Sequence, residues 1–489
     1  MLRRAMFNLP IVLAGLALYL ATWACCTSAD GTGCGPPPIP GATLSAVPIL
    51  PVDEQDVLPS PTMINQGAPL SAAAPWFVFA TEAGIWAANP DGSGLTQLTD
   101  KPLASTHQLT EGLAPWGRHL AYITQEDSAA FTLHILALPE GVLVAEIPMI
   151  SEVAAGQDPG SVPEAVKVIS SVAVMAWSPD GQLLAFMAAI DGPTLDLYVY
   201  DVEQEALRRL TDGPSEAVSP SWSPDGRYIL HFGLTALGSG AGSDLAGAWA
   251  ARSDGSEIVS LYEPTETGEE SVLGWIDAER ALLYSWDPSC GEKQLRSLNI
   301  RTLEVKMLWE DYFLHAAMQP LSDSLLVAVA ENQSACNAGQ AGGLYLINGE
   351  DGQAIRILED DPVRVTWSQE AGLYFSQTEF GIQAISTLGD WKQLWDLGGN
   401  FPIASPLPGH LAWYGQEGLW VGPLVNEDLE SPRQVLSEPV ELAVWTSWDG
   451  GRLLVFGASG FYTAASPDFV PLLIAPGLES RSAGWVILP

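Results

Sequence analysis

The chain has 489 residues, with 58 acidic side chains against 20 basic ones and a formal net charge of −38 at pH 7. Such a surface repels phosphate backbones, so the composition disfavours nucleic acid as a partner and leaves basic peptides, cations and neutral sugars open. The hydrophobic content of 47%, with 18 tryptophans, is enough to fill a large packed core.

Residues 1–26 have the pattern of a sorting segment. Arg3 and Arg4 precede an apolar stretch from Leu9 to Ala24, and Cys25 follows directly. A small residue before a cysteine resembles the lipidation site of bacterial lipoproteins, but Ala5 to Ala24 is also long enough to span a membrane. We therefore expect lipidation at Cys25, a transmembrane anchor or a cleaved secretory signal. Each alternative places the remainder of the chain outside the cytoplasmic membrane, on the cell surface or the periplasmic side.

Residues 27–74 are rich in proline, glycine, alanine and serine and show little hydrophobic periodicity. This composition predicts a tether that holds the following domain away from the membrane. From residue 75 onward, short apolar runs alternate with turn residues to the end of the chain.

One five-residue phrase, Trp-Ser-Pro-Asp-Gly, occurs at residues 177–181 and again at residues 222–226. Proline, aspartate and glycine in this order form a tight turn, and the apolar runs on either side make each copy a β-hairpin. The two copies are about 45 residues apart, which is the repeat length of β-propeller blades.

The repeats predict an all-β fold, namely a single closed β-propeller of eight or nine four-stranded blades over residues 75–489. About nine units can be counted, and the first lacks an inner strand of its own because the tether leads directly into Trp76 to Ala80. The last segment, residues 484–488, is an unassigned strand. We expect it to complete the first blade and to close the ring, because closure removes exposed sheet edges.

The two Trp-Ser-Pro-Asp-Gly phrases resemble the TolB-like propeller repeats of bacterial periplasmic and surface proteins. The resemblance is close at residues 177–186 and 222–232 and looser over about residues 75–489. It implies a propeller in an exported bacterial protein.

The long loops of this repeat fall between second and third strands and between blades, and these loops share one face of a propeller. Long loops on a rigid scaffold are the usual place for binding. The residues that we predict to contact a ligand lie at or just after second-strand ends, and they are Glu126, Asp127, Trp286, Asp287, Glu331 and Asn332. Acidic and aromatic groups suit a cationic peptide or a sugar, whereas the alternative is a solvated acidic rim.

The cysteines and histidines of the chain are the remaining candidates for a disulfide or a metal site. Cys290 and Cys336 occupy equivalent loops of consecutive units, so we predict a disulfide between them. His107 and His315 lie near predicted inner strands and could face the channel, but they have no metal-binding spacing, so we predict neither a metal nor another cofactor.

The sequence has no Gly-x-Ser-x-Gly nucleophile motif, and we expect no hydrolase domain after the propeller. We therefore predict a monomeric, envelope-anchored propeller that binds a protein or carbohydrate, with the membrane contacted only by the N-terminal anchor. The alternative is a carbohydrate-active lyase or glycoside hydrolase that uses channel-mouth carboxylates or a histidine-bound metal, because propellers place such groups by tertiary structure.

Overall fold

The structure is a computed structural model of the chain. It describes residues 76–81, 84–89, 93–101, 103–104, 108–126, 130–138, 140–152, 162–171, 174–236, 243–262, 269–287, 292–329, 341–359, 362–368, 372–378, 381–395, 401–404, 409–425, 428–445, 451–476 and 483–486. The predicted tether, the predicted lipidation site Cys25 and the predicted Cys290–Cys336 disulfide lie outside these residues.

The described residues form a nine-bladed β-propeller. The first three blades contain β1 (Trp76–Thr81), β2 (Gly84–Ala88) and β3 (Thr96–Thr99); β4 (His119–Gln125), β5 (Phe131–Ala137) and β6 (Val142–Pro148); and β7 (Met175–Trp177), β8 (Leu183–Ala188), β9 (Asp196–Asp201) and β10 (Ala206–Arg209). The fourth to sixth contain β11 (Glu216–Trp222), β12 (Tyr228–Ala236), β13 (Ser243–Arg252) and β14 (Ile258–Tyr262); β15 (Glu269–Trp275), β16 (Arg280–Asp287), β17 (Glu292–Asn299) and β18 (Val305–Glu310); and β19 (His315–Met318), β20 (Ser324–Val329), β21 (Gly343–Asn348) and β22 (Ala354–Leu358).

The seventh to ninth blades contain β23 (Pro362–Ser368), β24 (Leu373–Thr378), β25 (Gly381–Ile385) and β26 (Trp391–Trp395); β27 (Phe401–Ala404), β28 (His410–Gly415), β29 (Gly418–Val425), β30 (Asp428–Leu429) and β31 (Arg433–Leu436); and β32 (Val440–Trp445), β33 (Arg452–Gly457), β34 (Gly460–Ala465) and β35 (Leu472–Pro476). A last strand, β36 (Ala483–Val486), follows. Two α-helices, α1 (Gln108–Gly112) and α2 (Val162–Ser171), and a 3₁₀ turn at Pro115–Gly117 lie in the connections around the second blade.

The C-terminal strand closes the ring, as the sequence predicts. β36 pairs antiparallel with β1, so it becomes the inner strand of the first blade, in the order β3-β2-β1-β36. The first and ninth blades also pack directly on each other, because the ring of Phe461 lies 4.6 Å from that of Phe79 and 5.3 Å from that of Phe77, between centroids. These buried aromatic contacts tie the two ends of the repeat together.

The repeated phrase is a turn that is held by its own side chains. In the third blade, the Ser178 hydroxyl donates to Asp180 Oδ1 at 2.6 Å and accepts from Leu183 N at 2.9 Å. Gly181 has φ +71°, and a Cβ there would lie 2.6 Å from the Pro115 carbonyl oxygen, so only glycine fits. The fourth blade repeats the serine contacts at 2.7 and 2.9 Å.

A tryptophan at the end of the inner strand joins neighbouring blades. In four blades its indole N–H donates to the inner region of the preceding blade, in the pairs Trp177 to Gly112 O (2.8 Å), Trp222 to Ala176 O (2.9 Å), Trp275 to Ser221 Oγ (3.0 Å) and Trp445 to Ile403 O (2.9 Å). The indole therefore satisfies its buried donor while it fills the space between two sheets.

Three local features differ from a uniform repeat. Among the described residues, the second blade has three strands, because α1 takes the place of its inner strand and Leu113 bridges to Leu120. The connection between the second and third blades contains α2, whose Ala165, Val168 and Ile169 are buried in the core. In the fourth blade, β12 and β13 are long, with 9 and 10 residues.

Candidate functional site

The predicted ligand rim is only partly described by the structure. Glu126 is exposed just after β4, Trp286 is half-buried in β16, and Asp287 is the last residue of β16. Asp127, Glu331, Asn332 and His107 lie outside the described residues. Glu126 belongs to the second blade and Trp286 to the fifth, so the structure places these two predicted residues on separated blades.

A lysine that the sequence analysis did not single out lies beside Trp286. Lys293, the second residue of β17, pairs across strands with Trp286, so both side chains lie on the same face of the fifth blade. The Lys293 ammonium faces three rings: Nζ lies 5.9 Å from the centroid of Tyr284, 5.1 Å from that of Tyr312 and 5.2 Å from that of Phe313. These are cation–π distances.

The connection between the fifth and sixth blades holds these rings in place. Asp311 N donates to the Lys293 carbonyl oxygen at 3.2 Å, and the Asp311 carboxylate accepts from Tyr312 N at 2.6 Å. Phe313 is fully buried and packs edge-on against Tyr284, with centroids 5.6 Å apart. His315 then begins the inner strand β19. We call Tyr284, Trp286, Lys293, Tyr312, Phe313 and His315 the Lys293 site.

Two positive charges act on this site although the chain is strongly acidic. Burial lowers the pKa of Lys293 to about 8. Burial, and then the charges of Arg364 and Lys293, lower the pKa of His315 to about 4, so its imidazole is neutral at physiological pH. Arg364 belongs to β23, the inner strand of the seventh blade, so the two cations come from the blades on either side of His315.

The Lys293 ammonium has no hydrogen bond or ion pair to any residue that the structure describes. Other described lysines differ: Lys101 and Lys392 pair with Glu146 and Asp428, and Lys306 donates to a carbonyl oxygen. The Tyr312 hydroxyl likewise has no hydrogen-bond partner within the described ranges, and burial raises the pKa of Tyr312, so this hydroxyl keeps its proton. The site therefore offers two polar donors beside aromatic surface.

His315 is the first residue of the inner strand β19. The charges of Lys293 and Arg364 that lower its pKa would equally repel a metal cation at its ring. Over the described ranges, no three His, Cys, Asp or Glu side chains are arranged to hold a metal ion. None of the helices in the described part of the chain has the length and apolar character needed to cross a membrane.

A second polar cluster, in the second blade, links a hydroxyl, an imidazole and a carboxylate in the same succession as a catalytic triad. The Thr124 hydroxyl lies 2.8 Å from His134 Nε2, and Glu146 lies 3.4 Å from His134 Nδ1 and 3.6 Å from Lys101 Nζ. Thr124 is only 3% exposed and His134 only 1%, so a substrate cannot reach the hydroxyl. We interpret this cluster as a structural link between the first two blades.

Comparisons with known proteins support the fold and leave the family open. No known protein-family profile matches the chain. Two curated relatives match parts of it: "Uncharacterized peptidase YuxL" of Bacillus subtilis, 43% identical over 68 residues, and "Uncharacterized protein Atu1656" of Agrobacterium fabrum, 29% identical over 112 residues. These matches cover 14% and 21% of this chain, and the chain spans 10% and 36% of the relatives' lengths.

Among solved structures, the chain is similar to the "Crystal structure of the eukaryotic initiation factor", with a TM-score of 0.56 and 12% identity. The superposition covers 85% of this chain and 99% of that one. At this identity the similarity supports the propeller architecture alone.

Proposed function

We propose that the chain is an exported, N-terminally anchored β-propeller that acts as a binding or protein-interaction scaffold. The export segment, with Arg3 and Arg4 before an apolar stretch, supports the localisation, outside the bacterial cytoplasmic membrane. A closed ring of blades supports a monomeric body, because it leaves no sheet ends that need a partner. The ligand is a protein or a carbohydrate, and no cofactor is needed for binding.

The Lys293 site carries this proposal. A half-buried ammonium that faces three aromatic rings is costly to keep in a fold, and strongly perturbed pKa values cluster at functional sites. The site lies where loops between second and third strands meet the connections between blades, which is the face on which the sequence predicts binding. Its aromatic groups can stack on a sugar or a peptide side chain.

Partner capture from an envelope extract tests this assignment. Immobilised wild-type protein and Lys392→Met, which removes an exposed lysine paired with Asp428, should capture the same partner, and Lys293→Met should lose it. Leu321→Ser changes an exposed residue on the opposite face and should leave capture intact. If Leu321→Ser abolished capture while Lys293→Met did not, the ligand would bind on the face opposite to the Lys293 site, and the proposal would be wrong.

The enzyme alternative has one observation in its favour. Glu111 lies on α1, which replaces the inner strand of the second blade, and burial raises the pKa of its carboxyl to about 7. A carboxyl of this acidity can act as a general acid in glycoside cleavage. Release of new sugar ends from acidic or neutral polysaccharides, abolished by Glu111→Gln and unaffected by Lys392→Met, would favour this function over the scaffold.

A further inference from the structure

We infer that the Lys293 site binds a carboxylate group of its ligand, which accepts from the Lys293 ammonium and the Tyr312 hydroxyl while its organic body lies against the aromatic rings. This inference rests on the proposed binding function and names the chemical group that the site selects. It differs from the sequence-based expectation of a cationic peptide or a sugar, which rests on the acidic and aromatic residues predicted around the rim.

The first step is that the Lys293 ammonium has no carboxylate partner among the described residues of a strongly acidic protein. Acidic side chains outnumber basic ones by 58 to 20, so a lysine could readily have been given a carboxylate partner. Burial is the cause that lowers the pKa of Lys293, and no carboxylate of the described residues counteracts it. An anion that enters the site therefore gains an attraction that no described group of the protein supplies.

The second step is that the neighbouring charges also favour an anion. Arg364 and Lys293 both depress the pKa of His315, so their positive potentials overlap at this ring. A cationic group of a ligand would meet the same repulsion as a protonated His315. The net charge of −38 disfavours anions on the protein as a whole, so anion binding at this position depends on these two local cations.

The third step separates a carboxylate from phosphate or sulfate. The ammonium and the Tyr312 hydroxyl provide two donors with a single positive charge, and a carboxylate has two oxygens and a single negative charge. A phosphate dianion is usually held by several donors or by a bidentate guanidinium. The rings of Tyr312, Phe313 and Tyr284 around Nζ exclude water from a bound anion, so a dianion would lose more hydration free energy there than the two donors return.

Titration of the purified protein with small probes at pH 7, followed by tryptophan fluorescence or calorimetry, tests the inference. Benzoate carries the carboxylate on a ring, benzamide is its neutral counterpart, benzylamine is cationic, and inorganic phosphate is the competing anion. We expect benzoate to bind at least 10-fold more tightly than the other three. Lys293→Met should weaken benzoate at least 10-fold, Tyr312→Phe should weaken it several-fold, and Lys392→Met should leave it unchanged.

The outcomes separate this inference from the proposed function. Tighter binding of phosphate or benzylamine, equal binding of benzoate and benzamide, or benzoate binding that survives Lys293→Met would overturn the carboxylate assignment. If partner capture still depended on Lys293 in that case, the scaffold function would stand and only the group would be wrong. Benzoate that binds and displaces the captured partner indicates a carboxylate carried by that partner, whereas benzoate that binds without displacing it indicates a free organic acid. The thermal unfolding midpoint of a second variant, Lys293→Gln, compared with that of the wild type, shows whether a loss of binding reflects misfolding.

Discussion

Replacement of Lys293 by methionine should stabilise the protein at neutral pH. Burial lowers the pKa of Lys293 from its ordinary value of 10.5 to about 8, which corresponds to about 3 kcal/mol of destabilisation below pH 8. Contacts with three ring faces offset part of this, at about 0.5–1 kcal/mol each, and partial solvent screening reduces it further. Methionine fills a similar volume without a charge. We therefore expect a gain of about 1–2 kcal/mol at pH 7.

The pH dependence of this gain distinguishes it from a simple packing effect. Between pH 8 and 10.5 the native Lys293 releases its proton while the unfolded chain keeps it, so the stability of the wild type rises toward that of Lys293→Met. Urea unfolding of both proteins at pH 7, 9 and 10.5 measures the gap, and Lys392→Met reports the effect of losing an exposed, paired lysine. A gap that stayed constant with pH, or a variant less stable at pH 7, would refute the reasoning.

Three further predictions concern the ring and the channel. Trp222→Phe removes the 2.9 Å bond to Ala176 O and should cost about 1–2 kcal/mol in urea unfolding, whereas Trp391→Phe, at an exposed position, should change stability by less than about 0.5 kcal/mol. Glu111→Gln should flatten the loss of stability that the wild type shows as pH rises from 4.5 to 7, because only the native carboxyl stays protonated there; parallel pH profiles would contradict this. A chain ending at residue 482 lacks β36, so it should lose its cooperative unfolding transition and aggregate through the free edge of β1; a monomer with an unchanged midpoint would show that the strand is dispensable.

The sequence alone determined the architecture of this protein because a blade is a local unit. The turn of Ser178, Asp180 and Gly181 is held by contacts between residues at most five positions apart, so it can be predicted from the five-residue sequence itself. Nine such units at a propeller repeat length then predict a ring, and the unassigned strand at residues 484–488 predicts its closure. The interblade role of Trp222 was not apparent, because its acceptor lies 46 residues earlier.

The candidate site depended on tertiary structure, because its members come from different units of the repeat. Trp286 was identified from its place at a strand end, but Lys293 and Tyr312 carry no motif, and they meet only where the fifth blade packs against the sixth. The positive potential at His315 of the sixth blade likewise comes from two other blades, through Lys293 of the fifth and Arg364 of the seventh, in a chain whose composition predicts an acidic rim. Repeat spacing fixes which strands are neighbours, whereas the charge and burial of a single side chain follow from the surfaces that those neighbours bring together.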